Sequence, residues 1–148
     1  MASLVTVDVR RVEETIRSIM PRFPEIAGVY LFGSALGPCR PDSDVDLGLV
    51  VDADGTSGGG GLARERLEAR VAVAVGRLEG HPVDVVVLHP DDPIFSFKVI
   101  HSGRLIYIGD EARVTDFIEL VAQRYREAYP RYQRALREIV DEVRQGGN

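Results

Sequence analysis

Two aspartates, Asp44 and Asp46, stand at the start of an apolar stretch that predicts a strand from about Val45 to Val51. Side chains two residues apart on a strand point to the same side, so these two carboxylates converge on one volume. Like charges that close repel each other, and this raises the pKa of one of them unless a cation is present. Mg²⁺ commonly binds through one or two carboxylates together with substrate phosphates. The pair therefore indicates a site for a metal and a phosphate.

Gly33 and Ser34 end the preceding predicted strand, about Gly28 to Phe32, and nine residues separate Ser34 from Asp44. Glycine lets the backbone approach a phosphate closely, and serine supplies a hydroxyl and a free N–H. One side of the site thus suits phosphate and the other suits metal. The alternative interpretation is a Gly-Ser turn followed by an acidic loop that only connects two strands.

Asp84 interrupts a β-branched run, Val83 to Leu88, that predicts a further strand. A charge inside a buried strand is costly unless it is paired or binds a metal, so Asp84 is the third candidate site residue. The alternative is an aspartate at a strand edge that faces solvent.

Length and composition restrict the class of protein. The chain has 148 residues, 45% of them hydrophobic and 28% charged, and we expect one domain over residues 1–148. A net charge of -5 argues against a general nucleic-acid binder. The single cysteine, Cys39, cannot form an internal disulfide, and no apolar run approaches ~18 residues. We therefore expect a cytoplasmic protein that does not enter the membrane.

The remaining patterns predict helices and strands in alternation. The Gly-rich segment Asp52 to Gly61 lacks the Gly-Lys-Ser/Thr ending of a P-loop, and we interpret it as a mobile surface connection. Lys98 is interpreted as solvated rather than as a phosphate ligand, and the three histidines as structural or exposed. Helices are predicted at about 9–20, 62–78, 93–101 and 111–145, and a fourth strand at 104–108. The fold class is α/β of the α+β type, with a small mixed sheet of about four strands flanked by helices.

The last predicted helix is long for so small a domain, and a bend is expected at Pro130. Tyr125, Tyr129 and Tyr132 follow helical spacing and are interleaved with arginines. Half of this helix is expected to pack on the sheet. Tyrosine and arginine are favoured at interfaces, so the other half is a candidate partner surface, for a homo- or hetero-oligomer.

One motif resembles the nucleotidyltransferase superfamily of the DNA polymerase β type. It lies between apolar strands and consists of Gly33-Ser34, nine further residues, and then Asp44-Val45-Asp46. The short chain is most similar to the minimal prokaryotic branch, which includes MntA-like antitoxins of HEPN-type toxins. Many minimal members have ten residues in this loop, and the superfamily tolerates variation there. The resemblance covers about Tyr30 to Val51, with a weaker likeness beyond.

The resemblance implies that ATP is the substrate and that two Mg²⁺ ions are bound by Asp44, Asp46 and Asp84. It implies that Gly33 and Ser34 hold the triphosphate, and that AMP passes to a protein hydroxyl, typically a toxin tyrosine. Two other functions stay open. One is an antitoxin that acts by contact, with a vestigial nucleotide site. The other is a small-molecule nucleotidyltransferase of the antibiotic-modifying kind, although 148 residues leave little room for the acceptor-binding domain that such enzymes carry.

Overall fold

The computed structural model describes residues 3–52 and 60–146. Within these residues four strands form one sheet, with α-helices on both of its faces. The strands are β1 (Gly28–Phe32), β2 (Val45–Val50), β3 (Val83–Val87) and β4 (Arg104–Ile108). The α-helices are α1 (Val9–Ile19), α2 (Gly60–Val75), α3 (Pro93–Ser102) and α4 (Glu111–Gly146), and short 3-10 helices follow α1 and β1.

The strand order is β3-β2-β1-β4. β1 pairs in antiparallel fashion with both β2 and β4, whereas β2 and β3 are parallel and α2 forms the crossover between them. A parallel pair needs such a crossover, because the chain must return to the same end of the sheet. The predicted fold class, a mixed four-stranded sheet flanked by helices, is confirmed.

Alternation along β2 sends its side chains to two different cores. Val45, Leu47 and Leu49 belong to the core that contains α1 and α2. Val50 belongs to the core under α3 and α4. Because side chains alternate along a strand, Asp46 and Gly48 lie on the same face as Val50. Asp46 therefore lies at the end of the sheet face that α3 and α4 cover.

Helix ends follow from local chemistry. The Asp8 carboxylate accepts a hydrogen bond from the Arg11 backbone N–H at 3.3 Å and so caps α1. The predicted end of α2 at Leu78 is wrong, because the helix stops at Val75. Gly76 follows with φ 67°, a left-handed conformation that ends helices and that glycine adopts without strain.

α4 changes character along its length. Val114, Phe117 and Val121 in its first part are buried, whereas every residue from 131 to 146 is exposed. The helix continues through Pro130, and the bend expected there stays a prediction. The helix is thus half packed and half free of the sheet, as its sequence suggested.

Three other expectations concern the Gly-rich segment, membrane insertion and the extent of the domain. The interpretation of the Gly-rich segment falls mainly on residues 53–59, which lie outside the described residues. In the described part of the chain, no helix is both long and apolar enough to cross a membrane. The extent of the domain, 1–148, stays a prediction.

Candidate functional site

Gly33 and Asp46 meet where β1 ends. Phe32, the last residue of β1, is the antiparallel partner of Asp46, so the chain leaves β1 directly beside that carboxylate. Gly33 has φ +79°, and a Cβ atom built on it would lie 2.2 Å from Oδ2 of Asp46. Any side chain at this position would be strained, because the backbone is left-handed, and it would displace the Asp46 carboxylate, which occupies the space of a Cβ atom. The Gly-Ser turn and the acidic strand therefore form one site.

The other two aspartates lie next to Asp46. Asp84 on β3 is its partner in the parallel register with β2, and residues paired in this way project on the same face of a sheet. Asp44 directly precedes β2. Asp44 and Asp84 are exposed, and Asp46 is partly buried. The structure thus brings all three predicted carboxylates together at one end of the sheet.

The charge at this end of the sheet is uncompensated. Burial raises the pKa of Asp46, and the negative charges of Asp84 and then Asp44 raise it further. In residues 3–52 and 60–146 no basic side chain forms an ion pair with any of the three. A cation would relieve this repulsion.

A metal site is not assembled in the structure as it stands. Across the described ranges, no group of three or more His, Cys, Asp or Glu side chains is arranged so that it could hold a metal ion. Mg²⁺ completes its shell with water and phosphate oxygens, so one or two of these carboxylates would suffice beside a bound triphosphate. The donor set and its uncompensated charge fit Mg²⁺, and the predicted metal ligands Asp44, Asp46 and Asp84 stay predictions.

Ser34 continues the turn that begins at Gly33. It lies in the short helix Gly33–Leu36 and is exposed. Its carbonyl accepts from the Gly37 N–H at 3.2 Å, and its hydroxyl has no partner in the described part of the chain. The hydroxyl therefore remains available to a ligand beside Gly33.

A cavity of 440 Å³ opens beside Gly33, between β1 and α3. Its apolar wall includes Phe32 and Phe95, whose rings meet edge to face with centroids 5.8 Å apart. Lys98 and Ser102 add polar groups. The complete lining is Phe32, Gly33, Leu36, Phe95, Lys98, Val99 and Ser102.

The lining includes Lys98, which we interpreted from the sequence as solvated; it is exposed, and its place in this cavity was not predicted. It is the only lysine in the chain, which contains 18 lysines and arginines together. Within the described residues its ammonium group forms no ion pair. Apart from this lysine the chain uses only arginine, so Lys98 stands out in the sequence. Its place in the cavity, however, follows only from the packing of α3 near β1.

His81 is one of the three histidines that we interpreted from the sequence as structural or exposed, and its contact with the site was not predicted. It is buried, with 7% of its surface exposed, and its Nδ1 lies 2.9 Å from the Ser43 carbonyl oxygen. Ser43 directly precedes Asp44. His101, in contrast, is exposed and stacks on Phe97.

Replacing Asp46 by asparagine should stabilise the metal-free protein at neutral pH. A raised pKa in the folded state means that protonated Asp46 stabilises the fold below its ordinary pKa of 3.8, and that this contribution is lost as the pH rises through the raised value. The asparagine side chain carries no charge, so the melting temperature of Asp46→Asn in a chelator should exceed that of wild type by a few degrees at pH 7. The difference should shrink as the pH falls towards 4.

The matched control is Asp42→Asn, since Asp42 is exposed and pairs with Arg40 at 3.3 Å. It should give no increase at pH 7. A lower melting temperature for Asp46→Asn than for wild type at pH 7 would contradict the charge argument.

Comparison with known proteins agrees with this geometry. The family model described as "Polymerase beta, Nucleotidyltransferase" matches residues 14–112, which include β1, β2 and β3 with their glycine, serine and aspartates. Among curated proteins, none matches this sequence.

Several solved structures share the fold. A chain of a tri-AMPylated Shewanella oneidensis HEPN toxin in complex with MNT antitoxin has a TM-score of 0.59 at 20% identity, over 86% of this chain and 95% of that one. A chain of a toxin–antitoxin solved with AMP-PNP has a TM-score of 0.56 at 17% identity, over 90% and 99%. A chain of the toxin–antitoxin MntA-HepT has a TM-score of 0.53 at 19% identity, over 88% and 95%. With the match over more than half of its length, the chain belongs to the polymerase beta nucleotidyltransferase family.

Proposed function

We propose that this protein is a Mg²⁺-dependent nucleotidyltransferase that transfers AMP from ATP to a hydroxyl group of a partner protein, a HEPN-type toxin. The observation that carries the proposal is the contact of Gly33 with Asp46, which is itself paired in register with Asp84. This contact joins a surface suited to phosphate with a surface suited to metal.

The transfer needs positioning and neutralisation of charge more than covalent help. The acceptor oxygen bonds to the α-phosphorus, the bond from that phosphorus to the bridging oxygen breaks, and pyrophosphate leaves. Two Mg²⁺ ions, held by Asp44, Asp46 and Asp84, would supply charge neutralisation at the phosphates. A carboxylate oxygen of Asp84 accepts or relays the proton of the attacking hydroxyl.

The nucleotide is held on the other side of Asp46. The absence of a side chain at Gly33 lets phosphate oxygens approach the backbone, and the free Ser34 hydroxyl donates to them. The cavity beside Gly33 accepts the nucleoside against its phenylalanines, and Lys98 offers its unpaired charge to the phosphate tail.

The choice of substrate and partner draws support from proteins with the same fold. One was solved with AMP-PNP, a non-hydrolysable ATP analogue, and another contains an AMPylated HEPN toxin beside an MNT antitoxin. These are properties of proteins 17% and 20% identical to this chain, and we extend them to it as a proposal.

A contact-only antitoxin is the second candidate, and the free half of α4 favours it. Leu136, Ile139, Val140 and Val143 are all exposed there, and Val143 reaches 69%. These positions follow helical spacing and form one apolar stripe. Such a stripe can pack against a toxin and neutralise it without any transfer of nucleotide.

Labelled ATP distinguishes the two candidates. With Mg²⁺ and the toxin, ATP labelled at the α-phosphate should label the toxin, and ATP labelled at the γ-phosphate should not. Toxin neutralised equally well by the triple variant Asp44→Asn, Asp46→Asn, Asp84→Asn would favour contact alone. Transfer of the γ-label would overturn the proposal, because it is the reaction of a kinase.

Removal of residues 131–148 should weaken toxin binding far more than ATP binding. The removed part of α4 is exposed throughout its described length, to residue 146, whereas the site lies at the sheet. Co-purification with the toxin and an ATP titration measure the two effects separately.

A milder variant, Leu136→Asp, should act in the same way because it places a charge in the apolar stripe. Arg134→Asp, on the opposite face of the helix, is its control and should bind the toxin normally. Equal loss of toxin and ATP binding on truncation would mean that the distal helix only supports the fold.

A further inference from the structure

His81 sits at the end of a tight turn that directly precedes β3. Leu78 and His81 exchange two backbone hydrogen bonds, of 3.0 and 2.8 Å. The residues between them, Glu79 and Gly80, both have positive φ, 49° and 82°. Two consecutive residues of this kind form the turn whose twist matches paired strands. The backbone of His81 is therefore fixed from both sides.

The His81 ring reaches back 38 residues to the loop that carries Asp44. Its Nδ1 is 2.9 Å from the Ser43 carbonyl oxygen, and because a carbonyl only accepts, Nδ1 carries the hydrogen. One residue beyond Asp44, the Val45 N–H donates to the Pro82 carbonyl at 2.8 Å. The two bonds hold the backbone on both sides of Asp44.

Asp44 depends on this support more than Asp46 does. Asp46 lies within β2, paired with Phe32 on one side and Asp84 on the other. Asp44 precedes the strand and is exposed. His81 is buried and Ser43 is partly buried, so loss of this hydrogen bond would leave the Ser43 carbonyl without its partner on His81. The position of Asp44 relative to Asp84 would then be free to change.

We infer that His81 is a positioning residue, which holds Asp44 beside Asp84 through the Ser43 carbonyl so that their carboxylates act on one phosphate group. The inference rests on the proposed function, in which Asp44 is a catalytic residue. It assigns His81 no contact with substrate. Its effect should therefore appear in kcat rather than in the affinity for ATP, because a displacement of about 1 Å in a reacting group can cost about 100-fold in rate.

The test compares three variants of His81 in the full-length chain. His81→Asn keeps an N–H donor three bonds from Cα, where Nδ1 stands, so its kcat should stay close to that of wild type. His81→Phe keeps a ring but no donor, and His81→Gln moves the donor one bond farther. Both should lower kcat by about tenfold or more, with the KM for ATP changed by less than about twofold.

Ser96→Ala is the matched control. Ser96 is the other polar residue that is buried in the described part of the chain, and its hydroxyl donates to the His89 carbonyl at 2.8 Å, away from Asp44. This variant loses a buried side-chain hydrogen bond of the same kind, and its kcat should be unchanged. A normal kcat in His81→Phe and His81→Gln, or an equal loss in His81→Asn, would overturn the inference.

Amide hydrogen exchange separates this inference from the proposed function. Exchange at Val45 should accelerate in His81→Phe and His81→Gln but not in His81→Asn or Ser96→Ala, with or without activity. If wild type transfers no nucleotide, the proposed function fails. The exchange rates still test the link, which is the hydrogen bond from His81 to Ser43 that holds the backbone at Asp44. Should His81→Phe not fold, the comparison of His81→Gln with His81→Asn decides. Unchanged exchange at Val45 in His81→Gln would overturn the link itself.

Discussion

Replacing Gly33 by alanine should remove nucleotide transfer from a protein that still folds. The added Cβ would come within 2.2 Å of Asp46 Oδ2, a distance at which one of the two groups must move. The backbone at φ +79° also disfavours any residue with a Cβ, by about 1–2 kcal/mol. The Asp46 carboxylate can rotate away, so the fold survives, but its position relative to Asp84 and the phosphates does not.

The measured quantity is kcat/KM for AMP transfer, which we expect to fall at least about 100-fold, together with a lower melting temperature. Gly37→Ala is the matched control in the same loop. A Cβ at Gly37 has no neighbour within 4 Å, and its φ of -150° suits any residue. It should behave as wild type. Normal kinetics in Gly33→Ala would show that the contact between the turn and Asp46 is not part of the site.

The strands could be predicted because their local signals agree. β1 and β4 have the bounds expected from sequence, Gly28–Phe32 and Arg104–Ile108. β1 is a short apolar run that begins at a glycine and ends before one, and β4 lies directly between two glycines. The predicted carboxylates also lie together, because Asp44 and Asp46 stand at the start of one strand and Asp84 is paired with Asp46 on the next strand. The family resemblance implied this grouping, since it assigned all three to the same metal ions.

Contacts between distant segments could not be predicted. The residues around each position do not show that Gly33 touches Asp46 or that His81 bonds to Ser43. Nor do they show that α3 brings Lys98 to the cavity beside Gly33. Each depends on how the sheet and helices pack. The end of α2 was mispredicted for a related reason, since the apolar spacing that includes Leu78 continues past Gly76 although the helix does not.

The charges of the site should reduce the stability of the metal-free fold. Burial and two neighbouring carboxylates raise the pKa of Asp46, whereas the rest of β2 is apolar and buried. A sequence selected only for stability would not place Asp46 opposite Asp84 in a parallel pair, because like charges side by side destabilise a sheet. Their juxtaposition is the physical argument that this end of the sheet serves a ligand.

Asp84→Ala and Lys98→Gln should impair different steps: the first should lower kcat, and the second should lower the affinity for ATP. Asp84 is proposed to take the proton of the attacking hydroxyl, so its loss should lower kcat by about 10²–10⁴-fold while most of the ATP affinity remains. Lys98 is proposed to contact the phosphates of ATP equally in the bound substrate and in the transition state. Its loss should weaken ATP binding about tenfold and leave kcat nearly unchanged.

Transfer of α-labelled phosphate to the toxin gives kcat, and a direct ATP titration gives the affinity. Lys98→Arg is the control that retains the charge, and it should recover most of the affinity. Adenosine lacks the phosphate tail, so its binding should be the same in Lys98→Gln as in wild type. Equal loss of affinity for ATP and adenosine in Lys98→Gln would remove Lys98 from the phosphate site. Transfer at the wild-type rate by Asp84→Ala would show that another group takes the proton, and the catalytic role of Asp84 would be wrong.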